Sequence, residues 1–113
     1  MSEHAAPPPD WYHDMYAHFV DTPFTFGSVA ELQADESCAL NRGADENALL
    51  LVNHWVADPL PGANIAAGAN AFDVLLERAQ RCAAARGHAR AHVVATDFVD
   101  VGDLIDVVAA LNE

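Results

Sequence analysis

Lysine is absent from this 113-residue sequence, and five arginines face 17 acidic residues, for a formal net charge of −12. Nucleic acids and anionic membrane surfaces both demand a cationic footprint, so neither is expected as a partner. The acidity itself serves solubility. No apolar run approaches the roughly 18 residues of a membrane-spanning helix, so no transmembrane segment is expected. A basic stretch leading into an apolar one is missing from the amino terminus, so no secretory signal is read there. Taken from Met1, the chain is expected to be cytoplasmic; as the tail of a longer chain it would be exported. Glycine-rich phosphate loops, Ser or Cys nucleophile motifs and dinucleotide fingerprints are lacking, and no cofactor is expected. Nor is there an internal repeat.

Metal-ligand spacing is lacking too. Asp97, Asp100, Asp103 and Asp106 depart from the Ca²⁺-loop pattern, and helix starts favour acidic residues in any case. His13 with His18, and His88 with His92, have no third partner at zinc spacing. No metal site is expected.

What the chain does contain is enough apolar surface for one small folded domain. Leu, Ile, Val and Phe number 28, about a quarter of the residues, above the level at which disorder is the default. The most informative stretch is Ala48 to Val56, ALLLVNHWV. Turn residues bound it, and its uninterrupted apolar start reads as a strand buried on both faces, as in a parallel sheet flanked by helices. Asn53, His54 and Trp55 then fall at its carboxyl end, where such sheets and barrels keep their chemistry.

The remaining elements follow from periodicity. Residues 1–9, MSEHAAPPP, form a flexible Pro-rich lead-in to a domain over 10–113. Asp10 is placed to cap a short amphipathic helix with Trp11, Met15 and Phe19 inward, stopped by Pro23. Phe24 to Phe26 reads as a brief extended piece that could add a third strand. Ser28 and Glu31 match a capping box, predicting a turn or two of helix to about Ala34, with loop over 35–47. A longer helix is predicted from roughly Ala69 to Arg86, with Phe72, Leu75, Leu76, Ala79 and Ala83 on one stripe. Arg78, Arg81 and Arg86 fall late in it, as the helix dipole prefers. Gly87 is the expected residue after its end.

A second buried strand, Ala91 to Val99, leads through Asp97 and Asp100 into a last helix with Leu104, Ile105, Val107, Val108 and Leu111 inward. Strand, helix, strand, helix is a βαβα unit, and its crossover makes the strands parallel. Parallel strands bring their carboxyl ends to one rim, so Asn53, His54 and Asp97 are expected to line the same edge.

Several short stretches, in order, carry a resemblance. These are Trp11-Tyr12-His13, Thr22-Pro23-Phe24, Cys38-Ala39-Leu40-Asn41-Arg42-Gly43, Leu51-Val52-Asn53-His54-Trp55, Asn70-Ala71-Phe72-Asp73-Val74-Leu75, Val94-Ala95-Thr96-Asp97-Phe98 and Gly102-Asp103-Leu104. Together they resemble the carboxyl-terminal part of bacterial phosphatidylinositol-specific phospholipase C-like phosphodiesterases. The resemblance implies a (β/α)8-type barrel, of which this chain holds a βαβα portion, since a whole barrel takes about 250 residues. It implies a phosphodiester or phospholipid head group as substrate, cleaved by one His as base and another as acid. That His pair belongs to the family's amino-terminal half, and none of His4, His13, His18, His54, His88 or His92 sits in its context. The chain alone is therefore expected to be inactive.

The matching positions assign Asp97 the role of orienting a catalytic His, by the logic of a triad carboxylate; beginning the strand-to-helix turn is its other reading. His54 and Asn53 would help shape a phosphate or inositol pocket, or form a hydrogen-bonded rim pair without a substrate role. Cys38 before its strand and Cys82 late in the next helix fall at the strands' amino-terminal face, where a bridge is sterically conceivable. A disulfide is expected in an exported protein and two thiols in a cytosolic one. An incomplete barrel leaves apolar edges open, so the chain is expected to need a complementary amino-terminal half or to self-associate. The rival expectations are a non-enzymatic α/β module that homodimerises and a half-barrel completed by a separate chain.

Overall fold

The computed structural model describes residues 9–11, 13–57 and 63–113. The expected lead-in (Pro9 apart), Tyr12 and most of the Pro/Gly loop after Ala57 lie outside them. Three strands, β1 (Phe19–Asp21), β2 (Leu49–Asn53) and β3 (Val93–Ala95), form one parallel sheet in the order β1-β2-β3. Among the described residues four α-helices accompany it: α1 (Val29–Gln33), α2 (Ala63–Ala69), α3 (Phe72–Ala85) and α4 (Leu104–Leu111). The chain is a small α/β domain, and the crossover from β2 to β3 is helical.

Strand alternation divides the sheet into two unlike faces. Val20 lies beside Leu50, and Val52 beside Val94. These four pack with Cys38, Cys82, Ala83 and Ala91, which seats α3 on that face. Each fully buried Leu or Val contributes about 1.5–3 kcal/mol. The opposite face presents Phe19, Asp21, Leu51, Asn53 and Val93, and among the described residues no α-helix packs across it. A second cluster, Phe26, Leu32, Val56 and Ala69 with Val29, sits under α1 and α2.

The two sheet edges also differ. β1 is sealed by the chain's own Asn41–Gly43 segment: Asp21 N donates to Arg42 O (3.0 Å), Asn41 N donates to Asp21 O (3.0 Å), and Val20 bridges Gly43. Gly43 makes this approach possible. Its φ is +82°, and a Cβ there would strike the carbonyl of Phe19. No such segment seals β3 among the described residues.

Several elements differ from the sequence expectations. The helix from Asp10 reduces to one 3-10 turn, Met15–Ala17, capped by Asp14, and Phe19 opens a strand instead. Pairing with Leu49 and Leu50 outweighs a helical spacing that has few good helix formers behind it. The third strand is therefore Phe19–Asp21 and not the Phe24 piece. Both of these strands are shorter than the expected Ala48–Val56 and Ala91–Val99, and β3 is half exposed instead of buried on both faces. A 3-10 turn, Asp35–Cys38, occupies part of the expected loop.

The helix expected from about Ala69 to Arg86 is found as α3, starting at Phe72, and α2 occupies part of the loop expected before it. The two helices part at Asn70–Ala71, because Asn70 is claimed by the loop after β3. Its Nδ2 donates to the carbonyls of Asp97 and Val101 (3.1 Å each), and its own carbonyl accepts from Asp103 N (2.9 Å). Asp103 Oδ2 then accepts from Phe72 N (3.0 Å), capping α3. Gly102, at φ +91°, fits this close pass, since a Cβ there would lie 2.6 Å from that of Asn70. Within α3, Phe72 is exposed and not inward as expected, and Arg78 is fully buried. In α4, Val107 alone is fully buried; Ile105 (77% exposed) and Val108 (40%) face outward, not inward.

Candidate functional site

The carboxyl ends of all three strands gather one continuous polar network. Asp21 ends β1 with its side chain fully buried. Its carboxylate accepts from Arg42 Nη2 (2.6 Å), Nε (3.0 Å) and backbone N (2.8 Å), and from Asn53 Nδ2 (3.1 Å). Asn53 Nδ2 also donates to Thr22 O (2.8 Å), and Asn53 N donates to Thr22 Oγ1 (3.0 Å). Every donor on the Asn53 side chain is thus used within the chain.

Arg78 reaches this network from α3. It is fully buried, and its guanidinium donates to the carbonyls of Asn53 and Ser37, to Ser37 Oγ (3.0 Å) and to Thr22 Oγ1 (3.3 Å), with the Phe26 ring 5.0 Å away. Removal from water lowers its pKa to about 10, with the nearby Arg81 charge second; Glu77 pulls the other way. At neutral pH it stays charged. One side chain so ties α3 to the ends of β1 and β2 and to the Asp35–Cys38 turn.

His54 is equally buried. Its Nε2 lies 2.6 Å from Ala69 O, a group that only accepts, so Nε2 carries the proton. Nδ1 is left to face Arg78 Nη1 at 3.4 Å, which suits a lone pair. Desolvation lowers the pKa to about 4; the bond to Ala69 opposes the shift and the Arg78 charge adds to it. His54 is a neutral ring locked in one tautomer and closed to solvent.

Asp97 lies apart from this sealed layer. It is half-buried, and together with Trp55, Ala57 and Thr96 it lines an open cleft of about 380 Å³ at the carboxyl ends of β2 and β3. Thr96 Oγ1 is buried there with no hydrogen-bond partner. The next residue, Phe98, has φ +46°, a left-handed conformation that is costly for an aromatic side chain. On the other side of the cleft Trp55 stacks on Phe24 (6.0 Å between centroids), and Arg42 lies over Phe24 (5.1 Å) and Tyr16 (4.6 Å). The rim therefore runs from a cation through stacked rings to a cleft with a carboxylate.

Of the three residues the sequence points to, Asn53 and His54 meet in the buried layer and Asp97 stands in the cleft above. Asp21, Thr22, Arg42, Phe24 and Arg78 are further parts of the rim that sequence reasoning passes over. The signal for Arg78 is its place three residues after Leu75 and four before Cys82, on the buried stripe itself. His13 and His18 (centroids 5.2 Å apart) precede β1, and His88 and His92 (5.9 Å) precede β3, so both pairs lie at the opposite end of the sheet from the cleft. A hollow of about 280 Å³ between α3 and α4, lined by Gln80, Ala84, His88 and Arg90 among others, is also remote from the rim. Cys38 and Cys82 are joined in a disulfide, Cα atoms 4.8 Å apart, beneath the α3 face of the sheet. No family model, curated protein or solved structure matches this chain.

Proposed function

We propose that the chain is the carboxyl-terminal portion of a phospholipase C-like (β/α) barrel phosphodiesterase, supplying the Asp97 wall of its active site and no acid–base pair of its own. The observation that carries this reading is the sheet itself: parallel, in sequential order, with α3 seated on one face and a carboxylate-bearing cleft at its carboxyl ends. In a closed barrel the last strand pairs with the first. The unsealed edge of β3 is where that first strand would add, whereas the edge of β1 is taken by Asn41–Gly43, so a barrel completed on this chain would stay open between β1 and the strand before it.

The chemistry follows from what the rim offers. A His from the completing half takes the proton of the attacking hydroxyl, and a second His protonates the leaving oxygen. Asp97 accepts the N–H of one of them and holds its ring in register. Trp55 and Phe24 give the head group an apolar wall. His54, neutral and tied to Ala69, keeps the rim in shape and exchanges no proton with substrate. The Cys38–Cys82 bridge suits an exported protein. Reconstitution with an amino-terminal half bearing the His pair tests the role of Asp97. Asp97→Asn is expected to lower kcat on the order of 10²-fold or more with the folded state intact; equal turnover would remove Asp97 from the mechanism.

A further inference from the structure

We infer that the hollow between α3 and α4 binds a phosphate group that still carries a proton, free or in a monoester, and rejects sulfate. The hollow lies before the amino-terminal end of β3, away from the cleft, so its occupancy does not depend on a completing half.

Charge singles out the place. Of the five arginines, Arg42 pairs with Asp21, Arg81 with Glu77 and Arg86 with Asp45, while Arg78 is buried among carbonyls and hydroxyls. Arg90 has no ion pair or hydrogen bond among the described residues, and it lines the hollow. Beside it His88 Nε2 is buried with no hydrogen-bond partner. His88 is held from two sides. Its backbone N donates to Ala83 O (2.8 Å), and its ring meets edge-on that of His92 (5.9 Å), whose Nδ1 accepts from Leu50 N (3.0 Å). Gln80 adds an amide from α3, and the backbone N–H groups of Ala89 and Arg90 are taken by no carbonyl of the described chain. The last carbonyls of α3 and α4 leave these donors free, because they already accept from the backbone N–H groups of residues 86–88, 112 and 113.

The size of the hollow and its one acidic group select the ligand. About 280 Å³ has room for a small molecule. A guanidinium, an amide, an imidazole and two backbone N–H groups offer more hydrogens than the two oxygens of a carboxylate use, and a guanidinium fork matches phosphate oxygens. Glu113 lines the same hollow, and no ion pair joins it to Arg90. An ionised carboxylate only accepts, so beside it an anion is favoured if it still has a hydrogen to donate. Hydrogen phosphate and its monoesters have one: the P–O–H group donates to Glu113, and the other oxygens accept from Arg90, Gln80 and His88. Sulfate has no proton near neutral pH and would set bare oxygens against Glu113. With a net charge of −12 the chain offers anions no general attraction, so binding here rests on these groups.

Nitrogen-proton NMR of the labelled chain, disulfide intact, tests the inference with inorganic phosphate, methyl phosphate and sulfate at one ionic strength and about pH 6, near the second pKa of phosphate esters. Phosphate is expected to shift the signals of Gln80 and of residues 88–90 saturably, and sulfate to bind on the order of tenfold more weakly or less. Arg90→Gln is expected to lower phosphate affinity on the order of tenfold or more, and Glu113→Gln to erase the preference over sulfate. Both residues are exposed, and unchanged signals elsewhere verify the fold of each variant. Methyl phosphate binding at least as tightly as inorganic phosphate assigns the hollow to a monoester, and weaker binding assigns it to the free ion. Phosphate shifts that do not saturate at the hollow, equal binding of sulfate, an Arg90→Gln variant that binds phosphate as well, or a preference that survives Glu113→Gln would overturn the inference. None of these results bears on reconstituted phosphodiesterase activity, and a failed reconstitution leaves the phosphate site standing.

Discussion

Arg78 is the residue on which the rim depends most, and its removal has a calculable cost. In Arg78→Met the aliphatic stem stays, but the carbonyls of Asn53 and Ser37 and the hydroxyls of Ser37 and Thr22 lose their guanidinium donor. Each buried acceptor left without a donor costs about 1–3 kcal/mol. The two hydroxyls keep other bonds, to Leu32 O and from Asn53 N, so the carbonyls dominate. The charge no longer has to be desolvated, which returns part of the loss. The net expectation is a destabilisation of about 3–5 kcal/mol, a large share of the roughly 6–17 kcal/mol that 113 residues sustain. Urea unfolding followed by Trp fluorescence and far-UV dichroism, under non-reducing conditions, measures it. Arg78→Lys is expected to recover little, because one ammonium cannot span acceptors on three segments. A loss below about 1 kcal/mol for Arg78→Met would refute the reasoning, since it would mean those carbonyls are satisfied by other means.

Three further outcomes are expected. Because folding lowers the His54 pKa from 6.5 to about 4, the unfolded chain takes up a proton that the folded chain refuses. This contribution is intact above pH 6.5 and declines by about 3 kcal/mol as pH falls to about 4. Nitrogen NMR should find His54 neutral with its proton on Nε2 down to about pH 4; titration near pH 6.5 would contradict its burial. Gly43→Ala combines positive φ with a collision at Phe19 O and should unseal the β1 edge, seen as faster amide exchange at Asp21 and Asn41; unchanged exchange would show that the segment is not held as described. Reducing the Cys38–Cys82 bridge, which closes a separation of 44 residues, should cost about 4 kcal/mol by chain entropy; an unchanged urea midpoint would argue against that bridge in solution.

What could be read from the sequence was whatever a single segment decides for itself. The Leu49–Asn53 run announces a buried strand by composition. Ser28 and Glu31 announce a helix start, and in the structure Ser28 Oγ accepts from Glu31 N (3.2 Å) while Glu31 Oε2 accepts from Gly27 N (2.9 Å). The buried side of α3 is visible in Leu75, Ala79 and Ala83. What partners decide was hidden. Phe19–Asp21 is a strand only because Leu49–Leu51 lies beside it. The break between α2 and α3 exists because residues 97–103 come back to Asn70. Arg78 resembles a surface cation until the carbonyls it serves are assembled around it. Likewise, nothing local separates the buried layer of Asn53 and His54 from the open position of Asp97, since all three end strands in the same way.

The most direct measurement is release of water-soluble phosphate ester from phosphatidylinositol by three samples: this chain, an amino-terminal half carrying the His pair, and the two together. No release is expected from either half alone, and release is expected from the mixture. Release by this chain alone would contradict the proposed function, as would a mixture that binds tightly and stays silent.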